Sequence, residues 1–177
     1  MFKGVILEIF RGALRVQRGE IAQGIADIEA GIAVHRATRV GFSLPMFIIC
    51  LADAHRLAKR PKEGLAAVSD GLSAAHQYGD RRTDAELHRL QGELLLLSDD
   101  SNQAGAEAVF HEAIRIARAQ EAKWFELRAA CSLTGLWQVQ RKNKEALDLL
   151  KPVYDWFTEG FDTKDLKEAS HQCSPKK

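Results

Sequence analysis

Apolar positions recur along this chain with the spacing of one helix face. Ile21, Ile25, Ile28 and Ile32 form one stripe, and Leu65, Val68 and Leu72 a second. Val109, Ile114 and Ala117 form a third, and Leu147, Leu150 and Val153 a fourth. Steps of this kind return to one side of a helix, so each stripe marks an amphipathic helix with a face to bury. Pro61 suits a first helical turn, where its missing N–H is not required, and RPKEG therefore reads as a tight turn opening a helix. The pattern predicts helices over 2–17, 20–37, 43–58, 61–77, 83–97, 104–119, 122–140, 143–157 and 163–171, with short links and no strands.

Internal comparison orders these helices. Every second helix carries small or aliphatic residues with the same steps of four and three: Gly24, Ile28, Gly31; Gly64, Val68, Gly71; Ala106, Phe110, Ala113; Ala146, Leu150, Val153. Their starting points are 40, 42 and 40 residues apart, and the preceding helices keep step through Gly12, Ala52, Gly92 and Thr134. The third unit is longer by two residues, which fall inside SDDSNQAG. A position without a bulky side chain lets a neighbouring backbone approach to about 8–10 Å, and the large residue between two such positions fills the adjoining gap. A lone helix pair would leave one face wet and apolar, so such units are expected in series.

The small, large, small pattern in these units resembles the tetratricopeptide repeat and covers nearly the whole chain. The period exceeds the usual length of about 34, which implies helices extended by close to a turn. A HEAT or armadillo array has a similar period but does not specially account for paired small residues. The resemblance implies an all-α fold: a right-handed stack of about four antiparallel helix hairpins, a tetratricopeptide-like solenoid over residues 1–171. The units are about 2–37, 43–77, 83–119 and 122–157, followed by a capping helix over 163–171 and a flexible tail over 172–177. In DWFTEGFDTKDLKEA, Gly160 is expected to stop the preceding helix, Asp162 or Thr163 to cap the next, and Trp156, Phe157 and Phe161 to cover the end of the stack.

Charge and chemistry narrow the function. The 25 Lys and Arg against 24 Asp and Glu give no field that argues for nucleic acid or an anionic membrane. The apolar opening MFKGVILEIFRGALRV is interrupted by Lys3, Glu8, Arg11 and Arg15, and no later stretch reaches the roughly 18 apolar residues of a membrane span. A cytoplasmic protein is expected, and Cys50, Cys131 and Cys173, widely spaced and without CxxC, fit a reducing compartment. The six histidines form no HxxxH or HExxH, SDDSNQ lacks the ligand spacing of a calcium loop, and neither GxSxG nor GxxxxGK[ST] occurs. No metal, cofactor or catalytic residue is expected.

Residues 85–97 (AELHRLQGELLLL), 106–154 and DWFTEGFDTKDLKEA carry a narrower resemblance. They resemble the C-terminal repeat region of large bacterial signalling proteins, in which a class III nucleotide cyclase or a DNA-binding module precedes a nucleotide-hydrolysing domain and tetratricopeptide-like repeats. The cyclase, the phosphate-binding loop and the DNA-binding helices have no counterpart in this sequence.

Two functions follow. One is a noncatalytic interaction scaffold whose first helices line a groove for a peptide or protein segment; the other is the regulatory repeat fragment of a multidomain cyclase or signalling ATPase. By repeat register the groove would hold Ile49, Asp53, Arg56, Glu86, Arg89, Glu93, Arg128, Cys131 and Gln138. Their mixed signs suit a polypeptide partner better than a phosphate backbone. Arg56, Arg89 and Arg128 are expected to face the groove and to be removable together without harm to the fold. An exposed stack end would also offer a surface to a second copy of the chain, giving a homodimer.

Overall fold

The computed structural model describes residues 2–38 and 41–174. Among them are nine helices and no strand: α1 (Phe2–Gln17), α2 (Ile21–Ala37), α3 (Leu44–Leu57), α4 (Pro61–Tyr78), α5 (Asp84–Ser98), α6 (Gln103–Ala119), α7 (Lys123–Val139), α8 (Asn143–Tyr154) and α9 (Lys164–Cys173). Each odd-numbered helix packs against its successor and against the next odd-numbered helix, and each even-numbered one against the odd-numbered helix that follows. Among the described residues no two even-numbered helices pack together. The odd-numbered helices therefore share one continuous face, an arrangement consistent with a helical repeat.

The turns repeat as the helices do. After α1, the N–H of Gly19 bonds to the Val16 carbonyl and that of Glu20 to the Arg15 carbonyl, with Gly19 at φ 89°. Lys59 and Arg60 make the corresponding bonds to Arg56 and His55, and Arg141 and Lys142 to Gln138 and Trp137. This is the Schellman ending, in which one left-handed residue lets two N–H groups satisfy the last helical carbonyls. Lys59 and Arg141 adopt φ 55° and 62°, a conformation that costs a side-chain-bearing residue more than it costs Gly19. In each turn the next residue's carbonyl then receives the small residue of the following helix: Glu20 from Gly24, Arg60 from Gly64, Lys142 from Ala146. In the longer third turn Asn102 receives Ala106 in the same way. The four small positions are thus one structural position.

At these positions backbones meet. A Cβ on Gly12 would lie 2.7 Å from the Gly24 carbonyl oxygen, and one on Gly24 would lie 2.6 Å from that of Gly12. Ala52, Ala106 and Ala146 are buried at the equivalent sites, and Thr134, also buried, donates its hydroxyl to the Ala146 carbonyl at 3.3 Å. In the third pair Gly92 faces a ring: its Cβ would come within 2.4 Å of the Phe110 side chain, which is itself fully buried. Small residues are required because a helix backbone or a rigid ring already occupies the space.

The C-terminal end departs from expectation in four ways. α8 stops at Tyr154, not at 157; Pro152 in its last turn has no N–H to continue the ladder, and the chain bends to set Phe157 edge-on against Trp124 at 5.8 Å. Gly160 has the expected left-handed φ of 77° but lies in the link, where Thr163 donates its hydroxyl to the Gly160 carbonyl instead of capping α9. Trp156 and Phe161 stay exposed; Leu166 and Ala169 of α9 make the buried cover. α9 continues to Cys173, so the expected tail begins later, and residues 175–177 lie outside those described.

Between α6 and α7, Glu126 is buried and accepts hydrogen bonds from Arg118 Nε at 2.7 Å and Lys123 Nζ at 2.8 Å. Burial alone would raise its carboxyl pKa, but the bonds from Lys123 and Arg118 outweigh it and hold the group below its ordinary value. A carboxylate with a lowered folded pKa contributes stability above its unfolded value and loses it as pH falls through the folded one. Thermal melts should therefore show stability falling below about pH 4.5, with a shallower loss in Glu126→Gln. The packing at Gly92 predicts that Gly92→Leu costs about 1–3 kcal/mol by overpacking against Phe110. At roughly 2–4 °C per kcal/mol for a chain of this size, calorimetry would resolve it, and a variant melting with the parent would place that crossing elsewhere.

Candidate functional site

The shared face of the odd-numbered helices carries a continuous charged network. At its centre Arg89, only 5% exposed in its side chain, reaches back one turn of α5 to Glu86, which is 3% exposed. The pair is bidentate: Arg89 Nε donates to Glu86 Oε2 at 2.9 Å and Nη2 to Oε1 at 2.7 Å. The third nitrogen, Nη1, donates forward to Glu93, whose Oε1 also accepts the Ser132 hydroxyl of α7 at 2.7 Å. From α3, Arg56 bridges Asp53 at 2.7 Å and Glu93 at 3.1 Å. From α7, Arg128 reaches Glu86 at 3.2 Å and stands 3.8 Å from Asp165 of α9. Four consecutive odd-numbered helices are thus tied by alternating charges.

Burial by itself works against a charge at Arg89, but the carboxylates of Glu86 and Glu93 more than compensate and hold its guanidinium pKa above the ordinary value. A planar five-donor fork can satisfy two carboxylates at fixed angles, which an ammonium could not do as well. Above this network opens a cavity of about 150 Å³, lined by Arg56, Arg89, Glu93, Arg128, Cys131, Ser132, Lys164, Asp165 and Glu168. A second cavity of about 110 Å³ adjoins it through Arg128, with Ala13, Val16, Gln17, Ile49, Cys50, Asp53, Ala54 and Glu86 on its walls. The first cavity is almost wholly polar, whereas the second has aliphatic walls and an acidic edge.

Of the nine residues placed in a groove by register, eight line these two cavities: Ile49, Asp53, Arg56, Glu86, Arg89, Glu93, Arg128 and Cys131. Gln138 does not join them. It donates to the Gln172 carbonyl at 3.3 Å, beside Leu147 and Cys173. Glu86 and Arg89 also differ from solvated groove charges, since both are buried and support their neighbours. Arg89 therefore cannot be removed as a surface charge could, and the expectation that the three arginines are dispensable to the fold is corrected at that residue.

Ser132, Lys164, Asp165 and Glu168 line the cavity without having been anticipated. The signal was present in the period: 42 residues separate Glu86 from Arg128 and 40 separate Arg128 from Glu168, as they separate Ala129 from Ala169. α9 packs on both α7 and α8.

Burial first, then the carboxylates of Glu168 and Asp165, push the Cys131 thiol well above its ordinary value. Cys50 is pushed up to about 11 by burial and by Asp53, so neither thiol is an activated nucleophile near neutral pH. Among the described residues no group of three or more His, Cys, Asp or Glu side chains is placed to hold a metal ion. No described helix is long and apolar enough to cross a membrane. No protein-family model and no curated protein sequence matches the chain.

Removing Arg89 would leave the buried Glu86 carboxylate short of its main counter-charge. Arg89→Ala should cost about 3–5 kcal/mol, whereas Arg56→Ala and Arg128→Ala, at partly exposed sites, should cost about 1 kcal/mol or less each. Urea titration of the three variants tests this ranking, and equal losses would remove Arg89 from its central place.

Proposed function

We propose that the chain is a noncatalytic protein-protein interaction scaffold, a tetratricopeptide-like, right-handed stack of helix hairpins whose odd-numbered helices present a groove to a peptide or protein segment. The stacking rests on the 40-residue register of small contacts and Schellman turns, and on the packing of each odd-numbered helix against the next. The observation that carries the function is the pair of adjoining cavities on one shared face, aliphatic across α1 and α3 and charged across α5, α7 and α9. A polypeptide offering an apolar side chain next to charged ones matches that sequence of walls.

Within the charged cavity the residual bonding capacity lies on the rim. Arg89 and Glu93 are each engaged by several partners, while Arg56 and Arg128 retain guanidinium N–H groups that no described side chain occupies. Partner contacts are therefore assigned to Arg56 and Arg128, with Arg89 and Glu86 holding them in place. The resemblance of residues 85–169 to the repeats of bacterial cyclase and ATPase regulators supports a second reading, in which the same groove receives another domain of a larger signalling protein. Adjacent reading frames encoding those domains would favour it.

The test is capture of a native partner by immobilised protein, with Arg56→Ala combined with Arg128→Ala as the control. The double variant should keep the parental helicity and lose partner recovery by tenfold or more, and the parental interaction should weaken with salt. Unchanged capture would put the groove elsewhere. Hydrolysis of ATP or GTP, or formation of a cyclic nucleotide, by the purified chain would overturn the noncatalytic reading.

A further inference from the structure

Arg128 is set apart from the other arginines by what it does not bond. Among the described residues every other ion-paired arginine donates a hydrogen bond to a carboxylate, as Arg56 does to Asp53 at 2.8 Å and Arg118 to Glu126 at 2.7 Å. Arg128 donates none. Its nearest carboxylate oxygen, Glu86 Oε1 at 3.2 Å, already accepts from Arg89 at 2.7 Å, and the other oxygen of Glu86 accepts from the same guanidinium at 2.9 Å. On its other side Asp165 of α9 stands 3.8 Å away and accepts no hydrogen bond from a described residue either. Both side chains are half-buried. Two opposite charges thus stand side by side, too far apart to bond each other, on the wall of the charged cavity.

The same wall carries a second couple. Lys164 and Glu168, one turn apart on α9, are exposed and form no ion pair among the described residues. An anion alone would face Asp165 and Glu168, and a cation alone would face Arg56, Arg128 and Lys164. A ligand carrying both signs leaves neither set opposite its like. Size sets a second limit. The cavity of about 150 Å³ offers about five times the roughly 30 Å³ that one water takes in the liquid, which is too little for a nucleotide. In an α-amino acid the ammonium nitrogen lies about 2.5 Å from the carboxylate carbon. That separation suits two protein charges set 3.8 Å apart.

We propose that this cavity is a binding site for a small zwitterion of the α-amino-acid class, its carboxylate on the open N–H groups of Arg128 and its ammonium on Asp165. Arg89, held by Glu86 and Glu93, belongs to the wall and keeps Glu86 from closing on Arg128. The site lies within the groove, yet its ligand is a small molecule that needs no polypeptide partner. Failure of this site and failure of the groove reading are therefore read in separate experiments.

Calorimetric titration of the full chain with each of the standard free amino acids tests it. At least one should bind with a Kd of about 1 mM or tighter and raise the melting temperature as its concentration rises. The N-acetyl form of that amino acid lacks the ammonium and its amide form lacks the carboxylate, so each should bind tenfold or more weaker. Arg128→Gln and Asp165→Asn should each weaken the zwitterion tenfold or more with parental helicity, because both sites are partly exposed. Asp165→Asn should in addition narrow the gap between the zwitterion and its N-acetyl form, which a loss of shape alone would not do. If one variant unfolds, the other decides. Absence of binding by every amino acid at about 10 mM would overturn the proposal. So would equal binding of the N-acetyl form, which would make the cavity a seat for a partner's acidic side chain, or binding that survives both substitutions.

Discussion

Close approach of helix backbones at small residues is the constraint from which the rest of the molecule follows. At Gly12 and Gly24 each carbonyl occupies the space where the other residue's side chain would start, so neither position tolerates even a methyl group without movement. In the turns after α1, α3 and α7 the Schellman ending sets the distance along the chain between the two contacts, because the carbonyl that follows its left-handed residue receives the small residue of the next helix. The small contacts recur at intervals of 40 and 42 residues, and each odd-numbered helix packs against the next.

That alignment is what assembles the charged network. Asp53, Glu86, Arg128 and Asp165 come from four helices and meet through Arg56, Arg89 and Glu93. Buried ion pairs are weak contributors to stability when compared with apolar packing, because desolvation offsets much of the attraction. Their geometry is nonetheless demanding: a bidentate Arg89 and Glu86 pair holds both side chains at fixed angles, and through them Arg128 and Glu93. A rigid inner pair carrying a partly solvated rim suits recognition, since the rim groups need not lose much freedom when a partner arrives. The same burial that stiffens the network raises the Cys131 thiol and keeps it protonated, which favours a passive wall over a reactive one.

The first and last helices bury their apolar residues to different degrees. α9 packs on α7 and α8 with Leu166 and Ala169 buried. Its outward side is polar. At the N-terminal end Leu7 and Leu14 keep the aliphatic character of interior positions while lying in solvent. Apolar groups retained at a contact register carry a drive to be covered, proportional to the area they expose.

Much of this was written in local sequence. Helix existence and order follow from the apolar spacing, and the paired small residues at Gly12 and Gly24, Gly92 and Ala106, or Thr134 and Ala146 follow from the 40-residue period. Those features are legible because helix periodicity and turn chemistry act within a few residues. The α8 terminus was misplaced because Trp156 and Phe157 look like a continuing apolar face, whereas the ring of Trp124, some thirty residues earlier, draws Phe157 out of the helix. Leu147 belongs to an apolar stripe yet is largely exposed, because no helix packs over its side of α8. Eight of the residues grouped by register line the two cavities, yet register could not tell Arg89, sealed between two carboxylates, from Arg56 and Arg128 at the rim. Sequence alone determined the helices, their period and which residues share a face, since these depend on spacing along one chain. Tertiary structure alone decided which charges are buried, which remain partly exposed and which leucines go uncovered, because burial is set by what other helices bring from far away in the sequence.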